Sequence, residues 1–305
     1  MFHSLLVPLD GSEFSERSLG LATQIAKASG AQLHLVHVHV GHAPDHFLSN
    51  TQFHYEGLDL GEYDERHRQE EVAYLKKVAE RVAEEGVRVD THLLEAPVTA
   101  SIISYAGKVG ADLIVITTHG HTGVSRMWLG SVADGLVRQT HLPILVIHPA
   151  GESHVPAPTG EIEHILVPLD GSRLAEKILG PATTLARATG ASLTLLHVVS
   201  TQAVLGGRIF PLLPEDVTSA KDKAHQYLDA IVERLREDGL SVKNWVMEHE
   251  IPARAICKVA GEVGADVVAL ATHGYGGFKK ALLGSVTDKV LRSCPVPLLV
   301  ERAEE

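Results

Sequence analysis

Apolar and polar positions along the first half of the chain follow two alternating patterns. SLLVPL (4–9), AQLHLVHV (31–38), VRVDTHLL (87–94), ADLIVIT (111–117) and PILVI (143–147) are short apolar runs that predict strands. ADLIVIT is apolar on both faces, as a strand buried in a parallel sheet requires. Between the runs, SERSLGLATQIAKASG (15–30) has apolar residues at helical spacing and stops at Gly30, a C-cap residue. Residues 63–85 predict a long amphipathic helix closed by Gly86. Pro97 opens another helix in its first turn, and SVADGLVRQT (131–140) a last one. Strands alternating with crossover-length helices imply an α/β fold with a right-handed parallel sheet. Ligands in such sheets lie at the carboxyl ends of the strands, where the strand order reverses.

The pattern occurs twice. LLVPLDGSEFSERSLGLATQIAKASGAQLHLVHV from Leu5 aligns without a gap to ILVPLDGSRLAEKILGPATTLARATGASLTLLHV from Ile165, an offset of 160 that pairs Asp10 with Asp170 and His37 with His197. GADLIVITTHG from Gly110 matches GADVVALATHG from Gly264, an offset of 154 that also pairs Gly130 with Gly284 and Pro143 with Pro297. A period of this size is a whole domain, not a solenoid unit. The expected organisation is a first domain over 1–150, a Pro/Gly/Ser-rich linker over 151–160 and a second domain over 161–305.

Composition narrows the function. The 305 residues carry a formal net charge of −11, which gives nucleic-acid binding no electrostatic support. A small anion can still bind locally to backbone amides. The two cysteines fall in one half and form no disulfide framework, which fits a reducing compartment. MFHSLLVPLDGS lacks a basic n-region, and no apolar run reaches membrane-spanning length. The expectation is a cytoplasmic protein with no membrane partner.

Two stretches per half carry candidate chemistry. Asp10 and Asp170 sit in PLDGS between a strand and a helix. Each reads either as a turn or N-cap residue or as an acceptor for a ribose or base. THGHTGVSRMWLGSV from Thr118 and THGYGGFKKALLGSV from Thr272 each place Gly-Ser ten residues past their first glycine. Gly120 and Gly274 let a ligand approach the main chain, and Gly130-Ser131 and Gly284-Ser285 open a helix whose free N–H groups attract an anion. His119 and His273 lie inside these loops, either against the ligand or anchoring the loop. No P-loop, dinucleotide fingerprint or nucleophile elbow is present in the sequence.

With V-P-L-D-G-S, L-V-H-V or L-L-H-V, the T-H-G loop and the closing P-I-L-V-I and P-V-P-L-L-V, nearly all of both halves resembles a tandem universal stress protein. The resemblance implies two adenine-nucleotide alpha hydrolase-like domains, each a five-stranded parallel sheet of order 3-2-1-4-5. It implies a binding and regulatory module for ATP, with or without Mg, rather than an enzyme. It also implies pairing of the two domains through their last strands as an intramolecular pseudo-dimer, with a further homodimer of chains. ATP-binding members carry G-x2-G-x9-G-[ST]. Here Gly120, Gly130, Ser131, Gly274, Gly284 and Ser285 fit it, while Thr117 and Ala271 replace its first glycine. The smaller Ala271 makes the second site the expected better one. By the same resemblance Asp10 and Asp170 meet the adenosine end, Val38 and Val198 line the adenine pocket, and Pro8 and Pro168 lie alongside. Leu9, Leu169, Ile116, Leu270, Val132 and Val286 complete the two expected nucleotide sites. Arg126 and Lys280 are either phosphate partners or solvated loop cations.

Nineteen histidines raise a metal site, above all His34, His37, His39, His42, His46 and His54. His37 and His39 share one strand face and His34 takes the other. Without a nearby Cys or tight spacing, surface or pocket-lining roles are the better reading, and no metal is expected. Cys257 and Cys294 read as packing residues. Two other functions compete with the binder: a slow ATPase, for which only Asp134 and Asp288 offer carboxylates near the loops, and a duplicated scaffold that has lost nucleotide.

Overall fold

In the computed structural model, residues 1–41, 60–118, 129–148, 161–205, 208–272 and 283–303 are described. The first half runs β1 (Ser4–Leu9), α1 (Glu13–Glu16), α2 (Ser18–Ser29), β2 (Gln32–His39), α3 (Leu60–Ala83), β3 (Val89–Glu95), α4 (Val98–Val109), β4 (Leu113–Thr117), α5 (Ser131–Gln139) and β5 (Ile144–Ile147). The second repeats it as β6 (His164–Pro168), α6 (Arg173–Glu176), α7 (Leu179–Thr189), β7 (Ser192–Val199), then β8 (Gln202–Leu205) and β9 (Arg208–Pro211). It continues through α8 (Pro214–Glu237), β10 (Val242–Glu248), α9 (Pro252–Val263), β11 (Val267–Ala271), α10 (Ser285–Ser293) and β12 (Leu298–Glu301).

All strands but β8 and β9 join one ten-stranded sheet, ordered β10-β7-β6-β11-β12-β5-β4-β1-β2-β3. Within each half this is the order 3-2-1-4-5, parallel throughout. The halves meet where β12 pairs antiparallel with β5, Leu299 opposite Leu145. Strand alternation sends Leu113, Val115, Leu145 and Leu299 into one core layer and Ile114, Val146, Leu298 and Val300 into the other. Both layers run without interruption across the β5–β12 seam. The Arg302 guanidinium donates to the Arg138 carbonyl at 2.8 Å, a second tie between the halves.

Gly30 and Gly190 end α2 and α7 with φ of 71° and 77°, left-handed backbone that explains why the repeat keeps both. The structure differs from the pattern reading in two places. Pro97 is the N-cap of α4, one residue before its first turn, after a cis Ala96–Pro97 bond; Pro252 does occupy the first turn of α9. The β8–β9 hairpin went unread although Gly206-Gly207, a two-residue hairpin signal in the sequence, stands between its short runs. Among the described residues no helix is long and apolar enough to cross a membrane.

Candidate functional site

The turn after β1 separates the capping residue from the aspartate. Ser12, not Asp10, caps α1, its hydroxyl accepting from the Ser15 N–H at 3.1 Å. Asp10 Oδ1 accepts from the Ser12 N–H at 3.0 Å and from the Ser12 hydroxyl at 2.5 Å. Asp170 repeats this with Ser172, at 3.0 and 2.7 Å, and Ser172 caps α6. The aspartates therefore shape the turn while the serines cap. Each carboxylate is held at the carboxyl end of the central strand, in the crevice between β1 and β4 or between β6 and β11.

The neighbouring strand end carries the glycine loop. Thr118 donates its N–H to the Ile147 carbonyl at 2.9 Å and accepts from the Gly130 N–H at 2.6 Å. Thr272 does the same with Glu301 and Gly284, at 2.9 and 2.6 Å. The two ends of each loop are thus pinned together at the carboxyl ends of interior strands. The loops themselves, with His119, Gly120, Arg126, His273, Gly274 and Lys280, lie outside the described residues, as do His42, His46 and His54. Gly130 and Gly284 are the N-caps of α5 and α10, and no described side chain caps either helix. The first-turn N–H groups of a helix have no intrahelical acceptor, and in the first half Gly130, Ser131, Val132 and Ala133 line a cavity.

These elements enclose a cavity of about 770 Å³ in the first half. Of the expected first-half residues, Pro8, Leu9, Asp10, Val38, Ile116, Thr117, Gly130, Ser131 and Val132 all line it. In the second half, Pro168, Leu169 and Asp170 hold the end of β6, Leu270 and Ala271 the end of β11, Val198 sits near the end of β7, and Gly284, Ser285 and Val286 open α10. Thr117 and Ala271, the positions that depart from the glycine pattern, are each 6% exposed. The Thr287 hydroxyl donates to the Ala271 carbonyl at 2.8 Å, whereas the first half has Ala133 there.

Sequence reading missed a wall. His37 on β2 and His67, Glu70, Glu71 and Tyr74 on α3 also line the cavity. Tyr74 packs edge-on against His37 with centroids 6.3 Å apart, and Tyr227 against His197 at 6.2 Å. The offset of 153 between the two tyrosines was the available signal; it was hidden because the loop before each helix differs in length. Burial, then the nearby Glu16 or Glu176 carboxylate, pushes both phenols well above their usual range.

The carboxylates considered for a Mg ion are engaged elsewhere. Asp134 pairs with Arg138 at 2.8 Å, and Asp288 with Arg292 at 2.9 Å, each one turn along its helix. The histidines of β2 divide as expected by strand geometry. His34 packs against Tyr105 on one face, and His37 and His39 meet Glu71 on the other. Among the described residues no group of three or more His, Cys, Asp and Glu is arranged to hold a metal ion. Cys294 is buried, and Cys257 lies 3.7 Å from the Ser293 hydroxyl.

The fold defines a class: a duplicated α/β domain whose strand order reverses once in each half, with a cavity at that point in the first. Comparison with known proteins agrees. The profile of the universal stress protein family matches residues 1–148 and 161–302. A universal stress protein of Mycolicibacterium smegmatis is 27% identical over 314 residues, covering 98% of this chain and 97% of its own. Universal stress protein MJ0531 of Methanocaldococcus jannaschii is 33% identical over 151 residues, 48% of this chain and 82% of its own. The crystal structure of a universal stress protein from Archaeoglobus fulgidus shares the fold over 98% of both chains, with a TM-score of 0.71 at 20% identity. The chain belongs to the universal stress protein family.

Proposed function

We propose that the protein is a stress-response module that binds ATP or a related adenine nucleotide and acts through binding rather than through turnover. The observation that carries this reading is the first-half cavity. At about 770 Å³ it has room for a nucleotide, and it joins an apolar end at Pro8 and Val38 to the uncapped start of α5. The adenine ring suits the apolar end, Asp10 the ribose, and the α5 N–H groups with the Ser131 hydroxyl the phosphates. Mg would travel with the nucleotide's phosphates. The equivalent ends of β6, β7 and β11 support a second site of the same kind, with Ala271 in place of Thr117. Asp134 and Asp288, each tied to an arginine, favour a binder over an ATPase.

The two family matches support domain limits near 150 and 160 with a linker between. The β5–β12 pairing supports reading the two domains as an intramolecular pseudo-dimer, and the two free cysteines support a cytoplasmic setting. A thermal-shift titration of the full chain with Mg-ATP tests the central point. Free ligand at 100-fold its Kd adds about 2.7 kcal/mol of stability, a clear rise in melting temperature. No rise at millimolar Mg-ATP overturns the nucleotide reading.

A further inference from the structure

Behind the α3 wall of the first cavity lies a charge cluster that the second half lacks. His39 is 1% exposed, and both of its ring nitrogens face carboxylates: Nδ1 lies 2.7 Å from Glu71 Oε2, and Nε2 lies 3.0 Å from Asp64 Oδ1. An ionised carboxylate can only accept, so satisfying both contacts requires a proton on each nitrogen. The other oxygen of Glu71 reaches His37 Nε2 at 3.3 Å. Arg68 on α3 binds Asp64 at 3.1 Å and forms a two-point ion pair with Glu95 on β3. Among the described residues, His37, Asp64, Arg68, Glu71 and Glu95 are the charged and titratable groups that face this ring from β2, α3 and β3.

The second half supplies an internal control. By the offsets of 160 and 153, His39, Asp64 and Glu71 correspond to Val199, Val217 and Ala224, which form a small apolar cluster of their own. The outer pair persists, Arg68 with Glu95 becoming Lys221 with Glu248 at 2.6 Å. The fold therefore seats α3 or α8 on its sheet with or without the charges around His39. The charges are therefore not a requirement of this packing, and two members of the cluster, His37 and Glu71, line the cavity.

We propose that protonated His39 is a positioning residue of the first cavity: it fixes Glu71 and, through it, His37 in the binding wall, so that nucleotide affinity in the first half, but not the second, weakens as this proton is lost. This rests on the nucleotide reading given above. Loss of the proton leaves one nitrogen of the buried ring facing a carboxylate without a hydrogen, and the two acceptors then repel. Burial of the ring opposes its charge, but the hydrogen bonds to Glu71 and Asp64 outweigh that and raise its pKa above the ordinary 6.5. The affinity is therefore full at low pH and falls as pH rises through the raised value.

Calorimetric titration of the full chain with Mg-ATP between about pH 6 and pH 8.5 tests this. One class of site should weaken by about fivefold or more and the other stay flat, a coupling at the low end of ordinary linkage. His39→Gln, neutral throughout, should abolish the slope. The triple variant His39→Val, Asp64→Val, Glu71→Ala gives the first half the residues that the second already packs, and should be folded and flat in pH. Binding with no pH slope in the unmodified protein, or a slope that survives in the triple variant, overturns the proposal and leaves the nucleotide reading intact. No binding at any pH overturns both.

Discussion

Histidine burial divides the titration behaviour of the molecule at single residues. His34 is buried and His164 and His197 are partly buried, and desolvation lowers their pKa below 6.5; for His164 the nearby Lys243 lowers it further. The unfolded chain then binds more protons than the folded one below pH 6.5. Stability is full above that value and is lost as pH falls through the depressed values. The denaturation midpoint in urea should drop as pH is lowered from about 7 to 5. Replacing His197 by Gln should make that acid fall shallower, and an unchanged slope would remove His197 from the account. His39 has the opposite sign, so its part in stability is lost on the alkaline side. None of these signs was legible in the sequence. His37 and His197 align, yet the tyrosines packed against their rings come from α3 and α8, which arrive across a gap in the repeat register. The Asp10 turn, by contrast, was half legible: PLDGS announces a capped turn, but which of its oxygens caps is decided only by backbone direction.

Elements carried more of the signal than residues did. Strand runs and helix stops were readable because a two-sided buried sheet demands unbroken apolar runs and because Gly30 and Gly190 take left-handed backbone. The missed elements, β8 and β9, are short and pair only with each other, so no core pattern marks them. The starts of α5 and α10 allow a test that separates helix from ligand. Ser131 and Ser285 occupy the first helical position, where proline is well tolerated, and Gly130 and Gly284 already have the extended ψ of 150° and 144° that precedes proline. Ser131→Pro and Ser285→Pro should therefore leave the melting temperature nearly unchanged. Each removes one backbone donor from its anion site and should weaken Mg-ATP binding, with Ser131→Ala and Ser285→Ala separating the hydroxyl from the amide. A proline variant that binds Mg-ATP as tightly as its alanine control would show that the helix start does not hold phosphate.

At the scale of the whole molecule, the repeat in sequence becomes one continuous sheet. The duplication was plain from the offsets of 160 and 154, but the seam was available only through family resemblance, since PILVI and PVPLLV do not reveal that they pair with each other. Leu145 and Leu299 face one another across the seam, both fully buried and both in the core layer that spans the halves. A domain pair joined only by its linker would pass on little of a change made in one half. Joined through a shared sheet and shared core layers, the halves should unfold together. Truncating Leu145 to Ala removes buried methyl groups and opens a cavity at the seam, a loss of about 2–5 kcal/mol. Trp245 lies on β10, at the far edge of the sheet from the first half, and reports on the second half alone once Trp128 is replaced by Phe. In that background Leu145→Ala should lower the urea midpoint read at Trp245, in a single transition that coincides with the loss of helix signal. A Trp245 midpoint unmoved by Leu145→Ala would mean that the halves are stable independently and that the seam is a contact rather than a shared core.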